Sequence, residues 1–225
     1  MYTTMKKIFI LLSVVPALFL FSTKASAQGA SLEAFSHLGF GYNIVKTTDF
    51  EPSASEEFFV NILSLNLNAA DFIGLEIGVD YKTVDFRSKE DAFYLDADND
   101  KVIKVKPFKD KYPLNYTKNF SRFRTNTFSA PVTLNLYAGP FKIAAGAEAN
   151  YNLPGRVKDK FFVDGEKNKN IEKGAKFNTF NYNFLGYLSY DDTGVYVRYY
   201  PKNSRLMPEG GVDVSFFTVG VIYNM

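Results

Sequence analysis

The stretch FSAPVTLNLYAGPFKIAAGAEANYNL, Phe128 to Leu153, decides the fold. Before its centre, Phe128, Ala130, Val132, Leu134 and Leu136 share one face, with Ser129, Pro131, Thr133 and Asn135 on the other. After Ala138-Gly139-Pro140 the alternation resumes, with Phe141, Ile143, Ala145, Ala147, Ala149 and Tyr151 opposite Lys142, Gly146, Glu148, Asn150 and Asn152. Side chains of a strand alternate with a period of two, so each arm has an apolar wall and a polar wall. Two such arms joined by so short a turn form a long antiparallel hairpin. Arms of this length suffice to cross a bilayer, which takes about 9–11 tilted residues. A wall carrying Lys142, Glu148 and Asn150 cannot enter an ordinary dry core without partners, but it can line the polar interior of a membrane barrel.

The chain opens MYTTMKKIFILLSVVPALFLFSTKASAQ, with Lys6 and Lys7 before an apolar run from Ile8 to Phe21 and Ala25-Ser26-Ala27 before Gln28. Basic start, short apolar run and small-residue site read as a cleaved secretory signal peptide over residues 1–27, leaving 28–225 as one barrel domain. The sequence contains no cysteine, which excludes disulfides, thiolate metal ligands and a lipid-bearing cysteine at the cleavage point. Cleavage removes three lysines and no acid, so 23 basic residues remain of 26, against 24 acidic ones. A near-neutral exported chain is not expected to meet nucleic acid. The 23 Phe and 15 Tyr would burden a water-soluble surface, whereas a barrel uses them on lipid-facing strands and in interfacial girdles. After the leader no run of about 18 apolar residues occurs, so crossing by helices is not expected.

The same rhythm recurs along the chain. Leu32 to Ile44 places Leu32, Ala34, Ser36, Leu38, Phe40, Tyr42 and Ile44 outward and Glu33, His37, Gly39, Gly41 and Asn43 inward. Lys46 to Glu57 reads as a loop, and Phe58 to Asn68 as a second strand ending at a tight turn. The third strand alternates most sharply, with Ile73, Leu75, Ile77, Val79 and Tyr81 against Gly74, Glu76, Gly78, Asp80 and Lys82. Three charges on one strand face point to a polar lumen rather than an apolar ligand calyx. Arg87–Arg124 reads as a long loop in which Ala92–Leu95 and Val102–Val105 pair as a protruding hairpin, too charged to face lipid. Pro154–Lys176 reads as a second long basic loop. Phe177–Tyr190, Val195–Tyr200 with Arg198 inward, and Val212–Met225 supply the last strands. Connections alternate long and short, which predicts an all-β, up-and-down antiparallel transmembrane barrel of about eight strands, with long loops extracellular and short turns periplasmic.

The patterns APVTLNLY, KIAAGAEANYNL, VYVRYYPKN and FFTVGVIYNM resemble the small outer-membrane β-barrel proteins of Bacteroides-type bacteria, often termed PorT-like. The resemblance covers most of the chain after the leader, through loose patterns of Pro, Gly and aromatic residues. It implies a closed outer-membrane barrel without assigned activity, or, by analogy with the member named for secretion, a component of a protein secretion or assembly complex. Barrels of this kind usually end on an aromatic residue read by the barrel assembly machinery; here the end is Tyr223-Asn224-Met225.

Candidate chemistry is sparse. His37, the only histidine, stands beside Glu33 at strand spacing, the arrangement of a base and its orienter. The competing reading places both in a lumen charge network with Glu76, Asp80, Lys82, Lys142, Glu148 and Arg198, and with no second catalytic motif we expect the network. Asp96, Asp98 and Asp100 have the D-x-D-x-D spacing of a calcium loop. Lys101 and Pro107 stand where such a loop requires Gly and Glu, so a turn is expected and no metal or cofactor is assigned. Basic residues exceed acidic ones ten to six in Arg87–Arg124 and seven to four in Arg156–Lys176, which suits either a solvated face or lipopolysaccharide phosphates. The expectation is a non-enzymatic barrel plugged by its own side chains, in contact with outer-membrane lipid. The rival is a soluble exported barrel binding an apolar ligand, which requires Leu75 and Ile77 inward and Glu76 and Asp80 outward.

Overall fold

A computed structural model describes residues 29–97, 101–112 and 116–225. Residues 1–27, expected as the signal peptide, lie outside the described residues, as do Asp98 and Asp100.

The elements in chain order are β1 (Ala30–Ala34), β2 (His37–Lys46), β3 (Pro52–Ala70), β4 (Ile73–Ser88), β5 (Asp91–Asp96), β6 (Val102–Pro107) and α1 (Phe108–Lys111). They continue with β7 (Tyr116–Ala138), β8 (Phe141–Asn152), β9 (Gly155–Val163), β10 (Glu166–Ala175), β11 (Phe180–Tyr190), β12 (Thr193–Tyr199) and β13 (Ser215–Asn224). Eight strands close a ring of antiparallel pairs in the order β2-β3-β4-β7-β8-β11-β12-β13. The last strand returns to the first from Ser215↔Lys46 to Asn224↔His37, so no barrel strand is left with an open edge. The sequence-derived hairpin is β7–β8, in register from Thr127↔Asn152 to Ala138↔Phe141, with Gly139 at φ 60° in its two-residue turn.

The faces follow the alternation. Leu75, Ile77 and Val79 of β4, Val132, Leu134 and Leu136 of β7, and Val219 and Val221 of β13 stand exposed on the outside. Glu76, Asp80 and Lys82 of β4, Thr133 and Asn135 of β7, and Thr218 of β13 are buried inside. The apolar wall has aromatic pairs at both rims: Phe141 and Tyr190 at 5.0 Å near the short turns, Tyr81 and Phe128 at 5.6 Å and Tyr151 and Phe180 at 5.3 Å toward the long connections. An apolar surface this continuous, banded by aromatics, matches the lipid-facing exterior of a transmembrane barrel.

Several boundaries differ from expectation, each for a packing reason. The run expected as one strand from Leu32 is split at Phe35, whose φ of 55° breaks the extended backbone. Pairing with β3 shifts there by one residue, from Ala34↔Leu63 to Leu38↔Val60. The slip turns Ser36 inward, where its hydroxyl meets Asn61 and Ser64 at 3.0 and 3.2 Å, instead of outward as the alternation implied. The expected loop from Lys46 to Glu57 is short, because β3 begins at Pro52 and carries Ser55 and Glu57 on its inner face. Strands β4 and β7 run well past the apolar wall, and the expected loop Pro154–Lys176 is the hairpin β9–β10 added to the β7 extension. The seven residues of β4 after Tyr81 project roughly 24 Å along the strand.

The hairpin expected from Ala92–Leu95 and Val102–Val105 exists as β5–β6, but it does not protrude. It folds over the open end of the barrel, where Phe93 and Ile103 are buried with Phe50, Phe86, Phe123 and Phe216. Phe93 meets Phe50 and Phe123 edge-on at 4.9 and 4.8 Å. Backbone hydrogen bonds from Val212 to Ile103 and from Lys176 to Lys101 tie this cap to two other long connections. Its alternation explains the cap, since one face buries apolar rings while Lys104 and Lys106 remain on the half-buried side.

Candidate functional site

The interior below the cap is stacked in layers of polar side chains, each delivered by the inward parity of its strand. The central layer is centred on Arg198 of β12. Its guanidinium hydrogen-bonds Glu57 through Nη1 and Glu148 through Nε at 2.8 Å, with Asp80 at 3.7 Å from Nη2. The same guanidinium lies over the Phe59 ring at 4.0 Å, so its apolar faces are packed as well as its edges. Lys82 donates to Glu148 at 2.7 Å, Asn150 at 2.8 Å and the Tyr200 hydroxyl at 3.0 Å. Tyr196 and Tyr200 donate to the two oxygens of Glu57 at 3.2 and 3.3 Å, and Asn61 donates to Asp80 at 2.9 Å. Two cations thus face three carboxylates, every one bonded and all at most 2% exposed. A buried charge is tolerated only when paired and hydrogen-bonded, and this layer meets that condition by linking β3, β4, β8 and β12 across the barrel.

A second layer lies toward the short turns. Glu76 accepts from Lys142 at 2.9 Å, Tyr187 at 3.0 Å, Asn135 at 3.1 Å and Ser64 at 3.3 Å. His37 lies 3.9 Å from Glu76, shares a 3.0 Å contact with Ser36 and packs edge-on against Phe59. Between the two layers a void of about 20 Å³ remains, little more than one water molecule. Below Glu76 and Lys142 the barrel opens into a polar vestibule of about 820 Å³, bounded by residues including Glu33, Asp71, Asp191 and Met225.

Of the residues singled out from the sequence, Glu76, Asp80, Lys82, Lys142, Glu148 and Arg198 are brought inside, in two linked groups rather than one. His37 joins the Glu76 group. Glu33 stands apart: it is exposed at the vestibule mouth and accepts from Ser31 at 3.0 Å, because the slip at Phe35 separates it from His37. The base-and-orienter arrangement of His37 with Glu33 is therefore absent. Asp96 sits at the cap turn, where its carbonyl accepts from Lys101 at 2.9 Å, and no cluster of three metal-ligating acidic or histidine side chains occurs among the described residues. The rival barrel with an apolar interior requires inverted polarity, and Glu76 and Asp80 lie inside with Leu75 and Ile77 outside. Sequence reasoning missed Glu57, assigned to a loop, and the inward rings of Phe59, Tyr196 and Tyr200. Parity carried back from Ser64 would have turned Glu56 inward instead of Glu57, because the register of β3 shifts between Asn61 and Leu63.

Fold and interior together define a transmembrane-type, up-and-down β-barrel of eight strands, filled by its own polar side chains. Among solved structures the chain is similar to the attachment invasion locus protein Ail of Yersinia pestis, at 12% identity and a TM-score of 0.35, covering 88% of this chain and 99% of that one. The same protein in complex with the heparin analogue sucrose octasulfate gives 12% identity and a TM-score of 0.37, covering 87% and 97%. No protein-family model matches the sequence, and no characterised protein matches it by sequence.

Proposed function

We propose that this chain is a non-enzymatic integral outer-membrane barrel, exported by residues 1–27 as a cleaved signal peptide, with a structural or surface-interaction role. The observation that carries the reading is the polarity of the wall: apolar side chains exposed outside, and charges fully satisfied inside. An eight-stranded barrel has room for its side chains and little else. With Arg198 and Lys82 bridging the lumen and the β5–β6 cap above them, it supports a plugged wall rather than a diffusion pore. In this reading the partners are outer-membrane lipid and the barrel assembly machinery. The finer placement among PorT-like proteins, with a secretion or assembly complex as partner, rests on the sequence resemblance.

The test is cell fractionation combined with gel migration. A folded barrel stays with the membrane through a carbonate wash and migrates faster unheated than boiled. Release into the soluble fraction would overturn the reading.

A further inference from the structure

The vestibule of about 820 Å³ lies at the end of the barrel opposite the β5–β6 cap. Its rim is acidic because of what the short connections carry. Glu33 comes from β1, Asp71 from the turn between β3 and β4, and Asp191 and Asp192 from the turn between β11 and β12. Backbone hydrogen bonds from Asp191 to Pro140 and from Asn224 to Asp192 hold that last turn against its neighbours. All four acids are exposed, and among the described residues none has a cation within 4 Å. Lys142, the lysine at the floor, is already bonded to Glu76 at 2.9 Å, and His37 lies 3.9 Å from the same carboxylate. The cavity therefore keeps an unbalanced negative charge, which its low-dielectric walls focus inward.

A second feature points into the same space. Ser189, two residues before Asp191 on the inward face of β11, lines the vestibule at 2% exposure, and its hydroxyl has no hydrogen-bond partner. A buried hydroxyl left unpaired costs stability, which a donor placed in the cavity would recover. At a strand rise of about 3.4 Å and a tilt of about 45°, Ser189 stands about 5 Å deeper than the Asp191–Asp192 rim. Tyr137 and Pro140 add apolar surface to the wall. A matching ligand carries positive charge at two levels, joined by a slender apolar stem. A single metal ion does not match, since no cluster of three metal-ligating side chains occurs among the described residues.

We propose that the vestibule binds a linear alkyl polyamine, with one ammonium donating to Ser189 Oγ and the others to the carboxylates of Asp71, Asp191 and Asp192. Hydrogen bonds from an ammonium group are charge-assisted and stronger than neutral ones. The volume falls within the roughly 300–1,000 Å³ of small-ligand pockets. In the outer-membrane reading the mouth opens among the short turns, so the ligand arrives from the periplasm.

The test is calorimetric titration of the full barrel in neutral detergent micelles with spermidine, against empty micelles. Butylamine and a tri-lysine peptide are titrated for comparison, and magnesium is added as competitor. Asp71→Asn/Asp191→Asn/Asp192→Asn should weaken spermidine binding by about tenfold, the sum of three weak ion pairs. Asparagine tolerates the positive φ of Asp191, so the turn is kept. Ser189→Ala should also weaken binding by about tenfold, through a lost bond to a charged donor. The thermal midpoint of the unliganded Ser189→Ala barrel should stay equal or rise, whereas a purely structural serine would lower it on removal. Absence of binding to the parent, unchanged affinity in either variant, or butylamine binding as tightly as spermidine would overturn the proposal. So would full displacement by an equal concentration of magnesium, or tighter binding of the tri-lysine peptide. Gel heat-modifiability of each variant reports separately whether the barrel has failed, which keeps a loss of the site distinct from a loss of the fold.

Discussion

Arg198→Met removes the cation around which the central layer is arranged. Methionine keeps an unbranched apolar stem but lacks the guanidinium that lies over Phe59, so the loss combines the charge with that ring contact. Glu148 retains Lys82 at 2.7 Å, but Glu57 is left with only the hydroxyls of Tyr196, Tyr200 and Thr218, and Asp80 with the Asn61 amide. Removing one partner of a buried ion pair typically costs about 3–5 kcal/mol, since the other charge stays desolvated. At a slope of about 2 kcal/mol per molar urea, the unfolding midpoint should fall by about 2 M. The assay is urea unfolding of the barrel in micelles, followed by its heat-modifiable band and by tyrosine fluorescence. Glu57→Gln/Arg198→Met, which removes the stranded charge as well, should regain about 1–3 kcal/mol relative to the sum of the single variants. A loss below about 1 kcal/mol for Arg198→Met, the level of an exposed ion pair, would refute the central role of this arginine. So would strict additivity in the double variant.

Further outcomes follow from faces and contacts. The sequence has no cysteine, so a fluorophore on Val79→Cys is unique; brominated acyl chains should quench it strongly and leave one on Arg87→Cys, above the rim, unaffected. Equal quenching at the two positions would contradict the assigned wall. At Gly41 a β-carbon would come within 2.6 Å of the Tyr196 hydroxyl and 2.8 Å of Thr218 Cγ2, so Gly41→Val should cost about 1–3 kcal/mol in the same urea assay. A midpoint equal to that of the parent would show that the lumen is loosely packed there. For Lys158, loss of solvent and then the charges of Arg122, Lys160, Lys169 and Arg156 lower the pKa on folding from 10.5 to about 8. The unfolded chain therefore holds more protons between those values, and this group makes stability rise with pH across that window. Thermal unfolding from pH 7 to 10 should show a smaller rise in Lys158→Gln, with higher stability at neutral pH; identical slopes would show that these cations do not crowd Lys158.

What could be read from the chain was whatever depends on parity alone. Glu76, Asp80 and Lys82 share a face because they are spaced by four and two residues, both even, and the same rule separates Lys142, Glu148 and Asn150 from Ile143, Ala147 and Ala149. Parity fails wherever the backbone slips. One positive φ at Phe35 moved Ser36 inward and left Glu33 away from His37, and no feature of the surrounding residues marks the slip. Long connections were misread as loops for a related reason. Their strands carry charge on the outward face, above the lipid, so the expected apolar stripe is missing while the inward rings of Phe86 and Phe123 still form a core.

By itself, then, the sequence determined strand, face and polarity, since a period of two is a local property of an extended chain. Tertiary structure alone decided partners: Arg198 and Glu57 lie 141 residues apart, and they meet because eight strands close into a ring whose stagger sets which inward residues share a level. It also decided that the β5–β6 hairpin covers the barrel instead of standing free, because its apolar face packs on the rings of Phe50 and Phe123, which the closed barrel brings together.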